Sequence, residues 1–395
     1  MQAIILAAGK STRTEPLTIN IHKVMLKVAN KTLIEHNLDQ LQGIADEVII
    51  VVGFLKEQII DFLGNEYKGI KIKYVEQKKQ LGTGDAVKCC EPLIKDKFIL
   101  MNGDDLYHKK DIKECLKYDF SVLAKKVKNP ERFGVYVVDE ENYVKDLIEK
   151  PQDFVSDLAS CGLYILDKSI FDIKLEKSSR GEYEITDAVL ENSKKNKVKV
   201  IEVKEYWLSI GYAWHLLDAN KVLLERLDKS DIEGEVEPNA TIKGNVIVGE
   251  GTIIKNGVYI EGPAVFGQNC NIGPNCYIRA ATTVGDNCKV GNGVEVKNSI
   301  IMDNTNVGHL SYVGDSVIGP KSNLGAGTNT ANLRHDDSNM KTPIKGVMID
   351  TGRRKLGTIM ANGVHTGINT TIYPGRKFWP STSTLPGEIV KKDVK

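Results

Sequence analysis

The strongest constraint on this chain is a period of six. Val236, Ile242, Val248, Ile254, Ile260, Phe266, Ile272, Ile278, Val284, Val290 and Val296 put an apolar residue at every sixth position, eleven times without a break. The ladder resumes as Val307 and Val313, then Ile318 and Leu324, and later Met360, Thr366, Ile372, Phe378, Thr384 and Val390. Glycine follows the ladder residue at 249, 267, 273, 285 and 291. A hexapeptide repeat predicts a parallel β-helix with three short strands per coil and the ladder residue pointing inward.

That frame absorbs most of the cysteines. Cys270, Cys276 and Cys288, with Thr282 between them, each stand four residues after a ladder position, where a coil interior takes a small side chain. Cys89-Cys90 has no better role. Seven cysteines without a C-x-x-C suggest neither a zinc site nor a redox pair, and an odd count fits free thiols in a reducing compartment. Between Ala331 and Leu356 the repeat breaks, at Asn332-Leu333-Arg334-His335-Asp336-Asp337 with Lys341, Arg353, Arg354 and Lys355 following. A loop extruded from a coil is expected there.

The first half has another rhythm. Ala3–Leu6, Glu47–Val52, Ile70–Val75 and Phe98–Met101 read as buried strands, with amphipathic helices at Thr32–Gln42 and Lys56–Leu63 between them. Strands alternating with helices predict parallel βαβ units and a doubly wound, Rossmann-like α/β sheet, whose ligands bind beyond the carboxyl ends of the strands. Ala213–Leu227 reads as a connecting helix. The expected domains are residues 1–228, including that helix, and residues 229–395.

The loop after the first strand, Ala7–Thr18, contains Gly9-Lys10-Ser11-Thr12. A P-loop needs a glycine five residues before Gly9; Ile4 is there, inside a strand, so the P-loop reading fails. Lys plus Arg number 53 against 52 Asp plus Glu, a balance that leaves no basic surplus for nucleic acid or an anionic membrane. The N-terminus lacks a basic segment and a long apolar core, so no signal peptide is expected. No run reaches the roughly eighteen apolar residues of a membrane span. A cytoplasmic location is expected.

An α/β domain of this kind followed by a left-handed hexapeptide helix resembles the bifunctional glucosamine-1-phosphate acetyltransferase/N-acetylglucosamine-1-phosphate uridylyltransferase family, in an archaeal-type version. In the second half, His309-Leu310-Ser311-Tyr312-Val313-Gly314-Asp315 is similar to the family's acetyltransferase signature, and Asn323-Leu324-Gly325-Ala326-Gly327-Thr328 and Asn332 follow at its spacing. Arg279 and Lys297 fall where the family places its sugar-phosphate-binding bases. The resemblance implies His309 as the base that deprotonates the amine, a task suited to imidazole as a class. It implies Arg279, Lys297 and Tyr312 on the phosphate, and Asn323 and Asn332 on the amine and acetyl groups. The interrupting loop would help build the acetyl-CoA and sugar sites between subunits. Ala326, Arg353 and Arg354 would meet coenzyme A, although a solvated charge run explains the arginines equally well. His335 is the poorer candidate base, with two aspartates beside it. A homotrimer with sites at its interfaces is implied.

The first half is similar to the family's entry motif: Leu6-Ala7-Ala8-Gly9-Lys10-Ser11-Thr12-Arg13-Thr14-Glu15-Pro16-Leu17-Thr18, then His22-Lys23. The resemblance implies Leu6, Ala7, Ala8 and Gly9 along the nucleotide, with Arg13 and Lys23 as the catalytic cations on UTP. Gln77, Gly82 and Thr83 would belong to the uracil-reading loop. Asp104 would hold magnesium, and Gly134, Glu149 and Ser160 the sugar. A sugar-1-phosphate oxygen, already anionic, would attack the α-phosphorus without a general base. Ser11 replaces a glycine of the motif, Thr14 an apolar residue and His22 a proline. Ser209 stands where an acidic or amide ligand completes the metal site, Asp85 where an uncharged residue or histidine is usual, and Ser160 where asparagine is. Three functions stay open: a two-site enzyme using acetyl-CoA, UTP and magnesium; an acetyltransferase with a silent nucleotide domain; and a non-catalytic scaffold, as in translation-initiation regulatory subunits of similar architecture. None of the three calls for nucleic acid or a membrane.

Overall fold

A computed structural model describes residues 1–178 and 180–395. By packing, the chain forms two units: Met1–Lys10 with Leu33–Ser209, and Ser11–Thr32 with Ile210–Lys395.

In the first unit, Gln2–Ala7 lies between Glu47–Val52 and Phe98–Asn102, parallel to both, and Glu47–Val52 pairs in parallel with Ile70–Glu76. Helices Leu33–Leu41 and Lys56–Leu63 make the crossovers, within a residue or two of expectation. The parallel pattern ends at Phe98–Asn102, whose other neighbour, Leu158–Leu166, runs antiparallel. Gly134–Val138 and Val144–Glu149 add a hairpin beyond it. The sheet is therefore mixed; in the hairpin the turn between Val138 and Val144 is too short for a crossover, so only antiparallel pairing is open to it.

The second unit is dominated by a left-handed parallel β-helix of three sheets, holding eight, seven and eight strands among the described residues. Strands pair in parallel with those a coil later, eighteen residues on in the first coils, as in Val248↔Phe266↔Val284. The ladder residues form one core column, most of them under 3 % exposed. Where the period of six lapses after Val296, Ile301 fills the missing place beside Val284 and Ile318. That coil is one residue short, with Asn298 turning at φ 45°. Asparagine tolerates this left-handed geometry better than most residues.

Ladder threonines stay inside because their hydroxyls are bonded. Thr366 pairs with Thr328 at 2.8 Å and accepts from the Gly325 amide at 2.9 Å. The small-residue column behaves alike: Cys270 and Cys276 thiols donate to Gly285 and Gly291 carbonyls one coil on, each at 2.9 Å, as Thr305 does to Gly319 at 3.1 Å. A buried donor that reaches a carbonyl avoids the cost of desolvation. All seven cysteines are free.

The interrupting loop is a β-hairpin, Lys341–Ile344 with Val347–Asp350, set between Ile318 and its partner Met360. The helix predicted at 213–227 spans His215–Leu224 and docks on the β-helix through Asn220. That buried amide accepts from the Ala29 amide (2.8 Å) and the Thr283 hydroxyl (2.7 Å), and donates to the Ala281 carbonyl (3.0 Å). Lys27 adds an ion pair with Asp303 at 2.6 Å. These contacts explain why residues 11–32 pack with the β-helix. No helix among the described residues is long and apolar enough to cross a membrane.

Candidate active sites

The outer face of the third β-helix sheet assembles the first candidate site. In Tyr277–Ile278, Glu295–Lys297 and Tyr312–Gly314 the ladder residue points in and its neighbours out, as strand alternation requires. Register then stacks Tyr277, Glu295 and Tyr312 in one column, and aligns Lys297 with Gly314 beside Arg279. Asn332 leaves the next coil just after Asn329–Thr330.

At the centre lies a carboxylate that the sequence did not single out. Asp315, 3 % exposed, accepts hydrogen bonds from Asn332 Nδ2 (2.6 Å), Asn298 Nδ2 (2.7 Å) and Lys297 Nζ (3.2 Å). Arg353 approaches at 3.9 Å and is also paired with Asp218 of the His215–Leu224 helix. A buried carboxylate is tolerated only with this degree of pairing. Its signal in the sequence was the coil offset: register sets Gly314 opposite Lys297, and Asp315 follows Gly314 directly.

Asn332 Nδ2 also donates to the Tyr312 hydroxyl at 3.1 Å. Burial, then the charge of Asp315, raises the Tyr312 pKa, so the phenol stays protonated. Gly314 is obligatory here, because a Cβ would sit 2.4 Å from the Tyr312 hydroxyl and 2.8 Å from the Asn332 amide. Arg279 pairs with Glu295 at 3.0 Å, which raises its pKa, and lies 5.6 Å from the Tyr277 ring.

His309, Asn323 and Ala326 are brought to a different place. His309 lies in the turn between Asn306–Val307 and Tyr312–Gly314, before the strand that carries Tyr312, whereas Asn332 and Lys297 engage beyond its exit. Its imidazole is exposed and makes no hydrogen bond among the described residues. Leu310, Ile368 and Leu385 lie on turns of this kind and are 65 %, 55 % and 74 % exposed. Arg353 is committed to carboxylates, while Arg354 is exposed and paired with Asp337 at 2.7 Å. The loop also borders a cavity of about 580 Å³ with Arg334, His335, Tyr373, Arg376 and Lys391, which includes none of the residues expected on the sugar phosphate.

In the first unit, Leu6 and Ala7 end the central strand, and Ala8 leads from it to Gly9. Gly53 and Gln80 close on this loop: the Gln80 amide donates to the Ala8 carbonyl at 3.3 Å, and a Cβ on Gly53 would meet that oxygen at 2.8 Å. Gln77 is buried, its Nε2 donating to the Gly82 carbonyl (3.0 Å) and Asp85 Oδ2 (2.8 Å). Thr83 begins the short helix Thr83–Lys88 and its hydroxyl accepts from the Ile185 amide at 3.0 Å.

Asp104 follows the strand Phe98–Asn102, in a turn pinned by Asn37, whose Nδ2 donates to the carbonyls of Gly103 (3.3 Å) and Asp105 (2.9 Å). Ser209 lies opposite Asp105 in register. No cluster of three or more His, Cys, Asp or Glu that could hold a metal occurs among the described residues. One carboxylate and one hydroxyl fit a magnesium ion that takes its other ligands from substrate phosphates and water. Gly134 pairs with Glu149, and Val135 with Ala159 next to Ser160, so the three expected sugar contacts come from adjacent strands. The Ser160 hydroxyl is 3.0 Å from that of Tyr136 and 3.3 Å from that of Tyr164.

In the second unit, the departures from the entry motif hold the loop together. Thr14 and Thr18 hydroxyls both donate to the Ser11 carbonyl, at 2.7 and 2.9 Å, with Ser11 at φ 53°. His22 Nδ1 accepts from the Val24 amide at 3.2 Å, capping the turn that carries Lys23. Arg13 lies 5.8 Å from the ring of Tyr212, itself stacked on Trp214.

Residues 2–226 match the Nucleotidyl transferase family and residues 260–375 the GMPPB C-terminal domain. Bifunctional protein GlmU of Methanocaldococcus jannaschii is 45 % identical, over 100 % of this chain and 96 % of its own. A bifunctional sugar-1-phosphate nucleotidylyltransferase/acetyltransferase of Sulfurisphaera tokodaii is 41 % identical, over 100 % and 98 %. Among solved structures, a UDP-glucose pyrophosphorylase complexed with UDP-glucose superposes with a TM-score of 0.53 at 27 % identity, covering 57 % of this chain and 98 % of that one.

Proposed function

The chain belongs to the family of bifunctional sugar-1-phosphate nucleotidylyltransferase/acetyltransferases named GlmU, and from that premise we propose that it catalyses both reactions of UDP-N-acetylglucosamine synthesis. The observation that carries this reading is the polar wall built around Asp315. Arg279, Lys297 and the protonated Tyr312 present donors on one face, suited to a dianionic sugar phosphate. Asn332, oriented by Asp315 and Tyr312, adds an amide for the acceptor.

The amine of glucosamine-1-phosphate attacks the thioester carbonyl of acetyl-CoA. His309 takes the proton from the amine, and coenzyme A leaves as the thiol. Asn323 and Ala326 line the same turn region and fit the acetyl and coenzyme A side, with Arg354 as an exposed cation for a phosphate. Arg353, held by Asp218 and Asp315, supports the wall instead. Since His309 and the wall occupy opposite ends of one strand, a homotrimer whose neighbouring copies complete each site is the arrangement that fits. The exposed Leu310, Ile368 and Leu385 suit such an interface.

In the nucleotidylyl reaction, Gln77 and the Gly82 backbone read uracil, and Gly134, Glu149 and Ser160 hold N-acetylglucosamine-1-phosphate. The family motif assigns Arg13 and Lys23 to the triphosphate, and Leu6, Ala7, Ala8 and Gly9 to the nucleotide. Asp104 with Ser209 would hold magnesium, which when bound neutralises phosphate charge. The sugar-phosphate oxygen displaces pyrophosphate from UTP. A cytoplasmic enzyme of nucleotide-sugar supply follows.

Purified protein given acetyl-CoA and glucosamine-1-phosphate is expected to release coenzyme A thiol, and with UTP, N-acetylglucosamine-1-phosphate and magnesium to release pyrophosphate. Absence of thiol release with any amino-sugar phosphate would sink the first assignment, and absence of pyrophosphate the second.

A further inference from the structure

Asp85 departs from the family pattern, and neither proposed reaction uses it directly. Its position gives it a role. Gln77 is 5 % exposed, and its Nε2 donates to both Asp85 Oδ2 at 2.8 Å and the Gly82 carbonyl at 3.0 Å. Both partners are acceptors only, so they determine which way the Gln77 amide faces. Turning it over would set Oε1 against a carboxylate and a carbonyl and lose both bonds. Asp85 lies on the short helix Thr83–Lys88, which begins directly after Gly82, so acid and carbonyl are held together. Gly82 is itself immovable. It sits at φ 111°, and a Cβ would come within 2.3 Å of the Tyr183 carbonyl. Its own carbonyl also accepts from the Ala86 amide at 3.2 Å.

We propose that Asp85 is a positioning residue that sets base selectivity by locking the Gln77 amide with its oxygen toward the nucleobase. The inference rests on the reading that this loop binds the base. A uracil or thymine edge offers an N3–H donor, which the locked Gln77 Oε1 accepts. Cytosine offers an N3 lone pair at that point, which the same oxygen repels. Selection against cytosine then comes from the carboxylate behind the glutamine, without touching the base. The C5 position plays no part, so UTP and dTTP are treated alike by this device.

The test is the ratio of kcat/KM for UTP to that for CTP, in wild type and in Asp85→Asn. Asparagine has nearly the same shape but offers a donor as well as an acceptor, so only the Gly82 carbonyl still favours one face of the Gln77 amide and turning it over costs one bond instead of two. The UTP:CTP ratio should fall by about tenfold or more, mainly through a gain on CTP. Asp85→Glu should retain part of the preference. A ratio within a run is insensitive to overall loss of activity, and Asp85→Ser serves if the asparagine variant folds poorly. A wild-type preference for UTP that Asp85→Asn leaves unchanged overturns the role of Asp85 and leaves the uracil reading standing. A wild type that uses CTP as well as UTP overturns the uracil reading, and this inference with it.

Discussion

The two candidate sites are built in opposite ways. In the β-helix, repetition does the assembly: residues one coil apart in sequence become neighbours in space, and Lys297, Asp315 and Asn332 meet because each coil lies on the last. In the α/β unit, site residues come from separate strand ends and turns, each with its own local anchor. Asn37 pins the Asp104 turn, Asp85 holds Gln77, and two tyrosines hold Ser160. The first site is knit by a buried charge network and the second by individual hydrogen bonds. A single substitution should therefore propagate in the first and stay local in the second.

The largest expected effect is at His309. His309→Ala should lower acetyl transfer by about 10²–10⁴-fold and leave pyrophosphate release from UTP unchanged, as a parallel assay of both reactions will read. Asp104→Ala should do the reverse, cutting nucleotidylyl transfer by about a hundredfold or more with acetyl transfer intact. Ser209→Asp restores an acidic ligand and should lower the magnesium concentration needed for half-maximal rate, read by metal titration. Asp315→Asn should raise the KM for glucosamine-1-phosphate by about tenfold, as a charge-assisted hydrogen bond is weakened. If the charge network is the site's organiser, Asp218→Asn should shift the same KM in the same direction, more weakly, through Arg353.

The smallest effect separates stability from catalysis. Lys377 is buried in the β-helix, donating to the Pro343 carbonyl at 2.9 Å, and burial pulls its pKa down to about 8. The unfolded lysine titrates near 10.4, so between these values the unfolded chain binds more protons and stability rises with pH. Lys377→Met should stabilise the protein by about 1 kcal/mol at pH 7, an advantage that fades as pH rises from about 8 toward 10. Thermal melts at the two ends of that range will show it.

What the sequence revealed follows the same contrast. Inward-pointing residues at a fixed period are legible because burial admits only apolar or bonded small side chains there, so the ladder, its core and the cysteine column could be read directly. The short coil at Ile301 could not, because a left-handed turn at Asn298 removes one residue without leaving an apolar mark. The hairpin at residues 341–350 was legible only as an interruption. Strand direction after Phe98–Asn102 was hidden too, since an apolar run looks the same whichever way its neighbour runs. In the sites, cations and histidine stood out by type. Asp315 did not, for its importance lies in what surrounds it, and that requires coil spacing as well as identity. The substitutions Thr14, His22 and Asp85 looked like losses, yet each is bonded into its loop.

The central claim is that one chain carries two separable reactions in sequence. It is tested most directly by supplying glucosamine-1-phosphate, acetyl-CoA, UTP and magnesium to His309→Ala, to Asp104→Ala and to their mixture, and measuring UDP-N-acetylglucosamine. Each variant alone should make almost none, and the mixture should make it, with N-acetylglucosamine-1-phosphate passing between them. Product from the His309 variant alone, or none from wild type, would contradict the account.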